Sequence, residues 1–263
     1  MKIYDWKEFS LVDFSPRSCS TIFAIGCNYQ CPSCHAKHVV SASTGRDEQE
    51  FFDYISRTNN GKQWIEGIVL CGGEPTLQSD LLDFTRKCKD RGLAVKLDTN
   101  GSNPTRLQRI KESGLIDYVA MDVKAPFCLY REATGTDVNI EDIKKSIDVV
   151  SRFPDYEFRT TLAPIERELA LDSRLMPENG KRIYWLIPQE AQLMAQEIVQ
   201  HSQDRAETRY FLQRFVARDE EAMIDLRFSK QQLPKGMHET PQEVMDEICE
   251  AVKEYLPYTK IRA

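Results

Sequence analysis

The sequence predicts an α/β fold in which a parallel sheet, curved or barrel-like, is covered by helices. Three observations carry that expectation. Short runs rich in Val, Ile and aromatic residues recur along the 263 residues, longer amphipathic stretches lie between them, and glycines stand where those stretches should end. The runs Thr21–Ile25, Gly67–Leu70, Ala94–Leu97, Tyr118–Met121, Glu157–Thr160 and Tyr210–Leu212 read as six strands. Asp80–Cys88 and Thr105–Lys111 space their apolar positions as helices do, and Gly92 and Gly114 are placed as C-terminal stops. Alternation of strand and helix implies right-handed crossovers, which leave the loops after the strand C-termini available for chemistry.

No stretch rich in Pro, Gly or Ser divides the chain, and no repeat or low-complexity tract interrupts it. A single domain over residues 1–263 is therefore expected, with a core from about 10 to 215 and a C-terminal extension over 216–263. Residues 166–187 are charged and irregular and are assigned no element. Further on, Val244, Ile248, Cys249, Val252 and Leu256 alternate with acidic positions, which fits an amphipathic closing helix over 240–256 that serves packing.

The formal charge of −6 and a pI near 5.4 argue against a general phosphate-backbone binder. Hydrophobic residues are 41% of the chain, but no apolar run approaches the ~18 to 20 residues that span a bilayer, so no membrane partner is expected. The opening residues Met1–Glu8 lack a basic segment followed by an apolar one, so no secretory signal is read and a reducing, cytoplasmic compartment is expected. The eight cysteines are accordingly not read as a disulfide framework.

Three of those cysteines lie in one loop. After the first strand the chain reads Gly26-Cys27-Asn28-Tyr29-Gln30-Cys31-Pro32-Ser33-Cys34-His35, a Cys-x3-Cys-x2-Cys spacing that lets three thiolates converge on one inorganic centre. A closed zinc site needs four ligands; His35 or His38 would have to complete it, because no second Cys-x2-Cys or His pair follows. An iron–sulfur cubane on three cysteines instead leaves one iron open to a substrate or cofactor. Spacing alone favours the cluster without excluding zinc. At the end of the second strand, Cys71 is followed by Gly72-Gly73-Glu74-Pro75. Two glycines there permit close approach of a ligand and leave their amides bare, and the Glu74 carboxylate can accept from an ammonium group.

The three-cysteine loop and the Gly-Gly-Glu-Pro strand end together resemble the signatures of the radical S-adenosylmethionine superfamily. The resemblance implies a partial (β/α)6 barrel with a C-terminal helix. It also implies a 4Fe-4S cluster on Cys27, Cys31 and Cys34, with S-adenosyl-L-methionine chelating the fourth iron. Residues 95–104 (Val-Lys-Leu-Asp-Thr-Asn-Gly-Ser-Asn-Pro) and 117–126 (Asp-Tyr-Val-Ala-Met-Asp-Val-Lys-Ala-Pro) are similar to the activating proteins of anaerobic ribonucleoside-triphosphate reductase. So are Ser10–Phe14, Phe158–Thr161 and Tyr210–Phe215. That likeness implies a glycyl-radical enzyme as partner, with a flavodoxin or ferredoxin type electron donor.

By the same resemblance, Gly72, Gly73, Glu74, Pro75, Asp98, Asn100, Asp122, Lys124 and Arg159 are expected to contact the cofactor. Asp98 would accept from ribose hydroxyls, the plain alternative being a helix cap or Asx turn before Asn100-Gly101. Lys124 would neutralise the cofactor carboxylate. Asp122 would act through a bound monovalent cation, or else pair with Lys124. Arg159, inside a strand, must pair within the barrel or face solvent. His35 is either a hydrogen-bond donor behind the cluster or an exposed loop histidine. Cys19, Cys71, Cys88, Cys128 and Cys249 are read as buried or incidental thiols. Two departures from the family pattern weaken the adenine contacts and the substrate assignment: Ser33 where an aromatic residue is usual, and Ser15-Pro16-Arg17 where Pro-Gly is usual.

The resulting expectation is an enzyme that reductively cleaves S-adenosylmethionine and abstracts a hydrogen from a glycine of a partner reductase. Two alternatives stand beside it. One is the same radical chemistry on a small molecule, peptide or nucleoside precursor; the other is a non-catalytic zinc or iron–sulfur interaction protein.

Overall fold

A computed structural model describes residues 1–168, 181–203 and 208–262. The chain divides into two compact units, each assembled from several segments.

The first unit comprises residues 1–28, 36–122 and 141–157. Its strands are β1 (Ile3–Ser10), β2 (Cys19–Ala24), β3 (Gly67–Gly72), β4 (Ala94–Thr99) and β5 (Tyr118–Asp122). β1 runs antiparallel to β2, while β2, β3, β4 and β5 pair in parallel in that order. The last four are the first four strands expected from the apolar runs. β1 was not anticipated. It buries Ile3, Trp6 and Ser10 and exposes the residues between them, so it lacks the period of two that marks a half-buried strand.

Helices α1 (Lys37–Ser41), α2 (Glu48–Thr58), α3 (Leu81–Lys89) and α4 (Pro104–Ser113) accompany these strands. α3 buries Leu81, Phe84, Thr85 and Cys88, the i, i+3, i+4, i+7 stripe that its sequence advertises. Phe84 stacks on Phe52 of α2 at 5.1 Å between centroids, a pair of buried rings contributing roughly 1.5–3 kcal/mol each through burial alone. α4 begins with the Asn103 carboxamide accepting from the Arg106 amide at 3.0 Å and stops at Gly114, whose φ of 65° only glycine adopts without strain. Beneath the sheet, Phe14, Cys19 and Val69 form a small apolar cluster against Cys71, Ala94 and Tyr118.

The second unit comprises residues 29–35, 123–140 and 158–263, so α5 (Tyr130–Thr134) belongs to it, while α6 (Ile140–Val150) falls almost wholly in the first and β6 (Tyr156–Leu162) starts there. From Phe158 onward β6 pairs in parallel with β9 (Tyr210–Arg214), and β9 with β10 (Lys260–Arg262). β6 and β9 complete the six expected strands; β10 has only three residues, too few for a sequence pattern. In and beside the irregular stretch 166–187, which was assigned no element, Ile165–Glu168 (β7) and Lys181–Tyr184 (β8) pair antiparallel, while residues 169–180 lie outside the described residues. Alternating charges along Glu166, Arg167 and Glu168 hide this ladder from a hydrophobicity pattern.

α7 (Pro188–His201) buries Ala191, Met194, Ala195 and Ile198. The closing helix is α8 (Gln242–Lys253), within the expected 240–256; it buries Met245, Ile248, Cys249 and Val252, with Val244 only partly covered. In the core of this unit the Tyr210 hydroxyl donates to Thr160 Oγ1 at 2.6 Å, which in turn donates to the Val123 carbonyl at 2.6 Å. Residues 216–239 form an excursion closed at its base by Thr240, whose hydroxyl donates to Leu162 O at 2.8 Å and accepts from the Phe215 amide at 2.9 Å. Ala217, Met223, Phe228 and Leu233 of the excursion join Phe215 in an apolar cluster that packs against Ala163, Ile183 and Trp185. Among the described residues no helix is long and apolar enough to cross a membrane.

Candidate functional site

In the first unit the expected site residues gather at one end of the parallel strands. Cys27 follows β2, Gly72–Pro75 follow or end β3, Asp98 lies near the end of β4 and Asn100 just after it, and Asp122 ends β5. The register Ala24 to Gly72 sets the ends of β2 and β3 side by side.

The backbone after β2 is held tightly there. The Gly73 amide donates to the Ala24 carbonyl at 2.9 Å and the Glu74 amide to the Gly26 carbonyl at 2.8 Å. Gln78 Nε2 donates to Ile25 O at 2.8 Å, and the Gly26 amide to Val39 O at 3.1 Å. A Cβ on Gly73 would lie 1.8 Å from Gly26 O, and one on Gly72, whose φ is 113°, would lie 2.3 Å from the Ala24 nitrogen. The glycine pair thus exists so that the end of β3 can touch the start of the cysteine loop. This corrects the expectation of bare amides: the Gly73 and Glu74 N–H groups are already bonded to backbone.

Glu74 also differs from its expected use. It is 0% exposed, and its carboxylate accepts from four donors: Thr76 N at 3.0 Å, Thr76 Oγ1 at 2.6 Å, Thr99 Oγ1 at 2.8 Å and Asn100 N at 2.6 Å. Burial pushes the carboxyl above its ordinary range, and the four donors oppose that push. Oε1 takes three of these bonds and Oε2 the fourth, and through them the group ties the end of β3 to the end of β4.

Asn100 is 6% exposed. Its Oδ1 accepts from the Ser102 amide at 2.9 Å, so the Asx turn that was one alternative for Asp98 is made two residues later. Its Nδ2 donates to Asn28 Oδ1 at 3.0 Å and to Cys27 Sγ at 3.8 Å. Asp98 itself is half-buried and lies 3.3 Å from the Lys96 ammonium, a group 5% exposed that also donates to Asp13 O at 2.7 Å. Neither Lys96 nor the donation from Asn100 to Cys27 was anticipated. Lys96 and Asp98 share a strand face two residues apart, a signal the sequence does contain.

Within the second unit, the other half of the cysteine loop has its own supports. Cys34 N donates to Cys31 O at 3.0 Å, the tight turn that brings these two residues together in the chain. The Gln30 amide donates to Thr134 O at 3.0 Å, and a Cβ on Gly135 would lie 2.4 Å from Gln30 O. Ile224, in the 216–239 excursion, donates its amide to Cys34 O at 3.0 Å. Gly135 and Ile224 carry no motif and could not be found from sequence. Lys124 is half-buried with its amide donating to the Tyr130 hydroxyl at 3.3 Å, and Arg159 is 9% exposed on β6. His35 is exposed to solvent along one edge; crowding by protein atoms, then the positive charges of Arg218 and Lys124, holds its imidazole below the ordinary value.

None of the eight cysteines is in a disulfide. Cys27, Cys31 and Cys34 are half-exposed, whereas burial pushes Cys19 to about 11 and Cys88 to about 12. Among the described residues no three His, Cys, Asp or Glu side chains form a ready-made metal group.

Comparison with known proteins places this geometry. A glycyl-radical enzyme activating enzyme, so named provisionally, from Methanocaldococcus jannaschii is 36% identical over 164 residues, covering 60% of this chain and 66% of that protein. A second protein of that organism with the same kind of name is 30% identical over 136 residues, covering 52% of this chain and 49% of its own. The chain thus spans less than two thirds of either relative. Among solved structures, Streptococcus suis SuiB bound to its precursor peptide SuiA shares the fold, with a TM-score of 0.60 at 10% identity over 92% of this chain and 48% of that one. The model of the radical SAM superfamily matches residues 21–164, more than half of the sequence. The chain therefore belongs to the radical SAM superfamily, whose α/β partial barrel its parallel strands reproduce.

Proposed function

We propose that this protein is a glycyl-radical enzyme activase that holds a 4Fe-4S cluster on Cys27, Cys31 and Cys34 and takes a glycine of an anaerobic ribonucleotide reductase as its hydrogen donor. Superfamily membership implies the cluster and S-adenosylmethionine. The observation that carries the cysteine assignment is the lock between the Gly72–Glu74 strand end and the Gly26–Cys27 backbone, because it joins the two family signatures physically. The donor set fits as well. Three half-exposed thiols in one loop suit soft iron–sulfur chemistry, while a three-cysteine set leaves zinc one ligand short.

When bound, the cluster and S-adenosylmethionine supply one-electron cleavage of a carbon–sulfur bond, releasing methionine and a 5′-deoxyadenosyl radical. The chain's own residues bind and orient. Gly72, Gly73 and Pro75 shape the backbone beside the cysteine loop, and Glu74 fixes that backbone from behind. Asp98, paired with the buried Lys96 ammonium at 3.3 Å, is the acceptor for ribose hydroxyls. Lys124 and Arg159 offer positive charge to the cofactor carboxylate, and Asp122 is the carboxylate for a monovalent cation. The glycine target draws support from the two M. jannaschii relatives, and the reductase partner from the likeness of residues 95–104 and 117–126 alone. A cytoplasmic setting with a flavodoxin or ferredoxin type donor belongs to the same proposal.

Anaerobic incubation of reconstituted protein with S-adenosylmethionine, reductant and a candidate reductase tests it by electron paramagnetic resonance. A glycyl radical signal on the reductase is expected. Cofactor cleavage without that signal would transfer the radical to a small molecule, peptide or nucleoside precursor.

A further inference from the structure

We infer that Asn100 is a positioning residue that raises the reduction potential of the cluster by donating a hydrogen bond to Cys27 Sγ, and that Glu74 acts on the cluster through it. This rests on the assignment of Cys27 as a cluster ligand made above.

The geometry leaves Asn100 little freedom. Its backbone amide is fixed on Glu74 Oε2 at 2.6 Å, and Glu74 is in turn fixed by both donors of Thr76 and by Thr99. Its side-chain oxygen is committed to the Ser102 amide at 2.9 Å. That bond settles which way the carboxamide faces, since a flipped group would set its NH2 against another N–H. The Nδ2 atom then has two hydrogens and two acceptors, Asn28 Oδ1 at 3.0 Å and Cys27 Sγ at 3.8 Å. Both hydrogens are used, and the second is held on sulfur by a group that is almost wholly out of water.

An N–H donor on a ligating thiolate withdraws charge from the sulfur and favours the reduced, more negative state of the cluster. Hydrogen bonds to the sulfurs are among the terms that set iron–sulfur potentials, and groups behind the ligands are conserved determinants of metal properties in general. The glutamate of the Gly-Gly-Glu-Pro signature thereby gains a second use beside tying the two strand ends: it stiffens the arm that carries the donor.

The test is the midpoint potential of the reconstituted cluster, followed by electron paramagnetic resonance of the reduced state during a redox titration. Asn100→Ser keeps an oxygen able to accept from the Ser102 amide but is too short to reach Cys27. Asn100→Asp keeps size and acceptor but replaces the donor with an anion. Both are expected to load iron and sulfide as wild type does, and to lower the potential by about 59 mV or more, a tenfold smaller reduced-to-oxidised ratio at fixed poise. Asn100→Asp should shift it further than Asn100→Ser, and Asn100→Gln should recover part of the loss. Loaded variants with an unchanged potential overturn the inference, and so does failure of both variants to load, which would make Asn100 a loading residue. If wild-type protein takes up no iron and sulfide, the cluster assignment itself falls, a result distinct from either of these.

Discussion

The two ends of β2 carry cysteines of opposite character. Cys19, at its start, is wholly buried in the apolar cluster with Phe14 and Val69, and its thiol donates to the Ser10 carbonyl at 3.5 Å. Burial first, with the Asp13 carboxylate adding to it, pushes that thiol to about 11, so it stays protonated and inert at physiological pH. Cys27, just beyond the other end, is half-exposed and receives an N–H donor from Asn100. A packing thiol thus begins the strand and an accessible one lies just past its other end. Environment separates residues that composition counts as equal.

The largest effect should come from breaking each end in turn. Cys27→Ala or Cys31→Ala is expected to reduce bound iron and the visible charge-transfer absorption of anaerobically reconstituted protein to background, whereas Cys19→Ala should load fully and lose about 1–2 kcal/mol of stability. Equal loading of all three variants would erase the distinction.

Next in size is the clamp behind the Cys27 end. Glu74→Ala would strand four buried donors, and urea denaturation should show a loss of about 3 kcal/mol. Thr99→Val removes one of those donors and should cost about 1 kcal/mol. A Glu74→Ala change within experimental error of wild type would mean that the carboxylate does not hold the two strand ends together.

The smallest effect is a difference in labelling. Alkylation depends on the thiolate, so a thiol at about 11 is roughly 0.1% ionised at pH 8 and gains about tenfold per pH unit up to its pKa. In cluster-free protein, iodoacetamide at pH 8 should mark Cys27, Cys31 and Cys34 while sparing Cys19 and Cys88, as read by peptide mass spectrometry. Labelling of Cys19 at the rate of Cys27 would contradict the burial argument.

Much of this could be read from the sequence because the relevant physics is local. The six parallel strands announce themselves as apolar runs, the loop cysteines by spacing, and Gly114 by the end of a helical pattern. What the sequence withheld depends on partners far along the chain. Ile3, Trp6 and Ser10 bury one side of an edge strand without alternation, so β1 looked like no element. Glu74 looked like a ligand because a motif names the residue but not its donors, and Thr99 and Asn100 stand 25 and 26 positions away. A still longer separation hid Asn100 behind Cys27, 73 positions earlier.

Whether this protein cleaves S-adenosylmethionine is read from the yield of 5′-deoxyadenosine by the anaerobically reconstituted, chemically reduced protein. Release of 5′-deoxyadenosine with methionine in equal amount, abolished in Cys27→Ala and retained in Cys19→Ala, is the expected result. Protein loaded with a 4Fe-4S cluster that yields none would contradict the account.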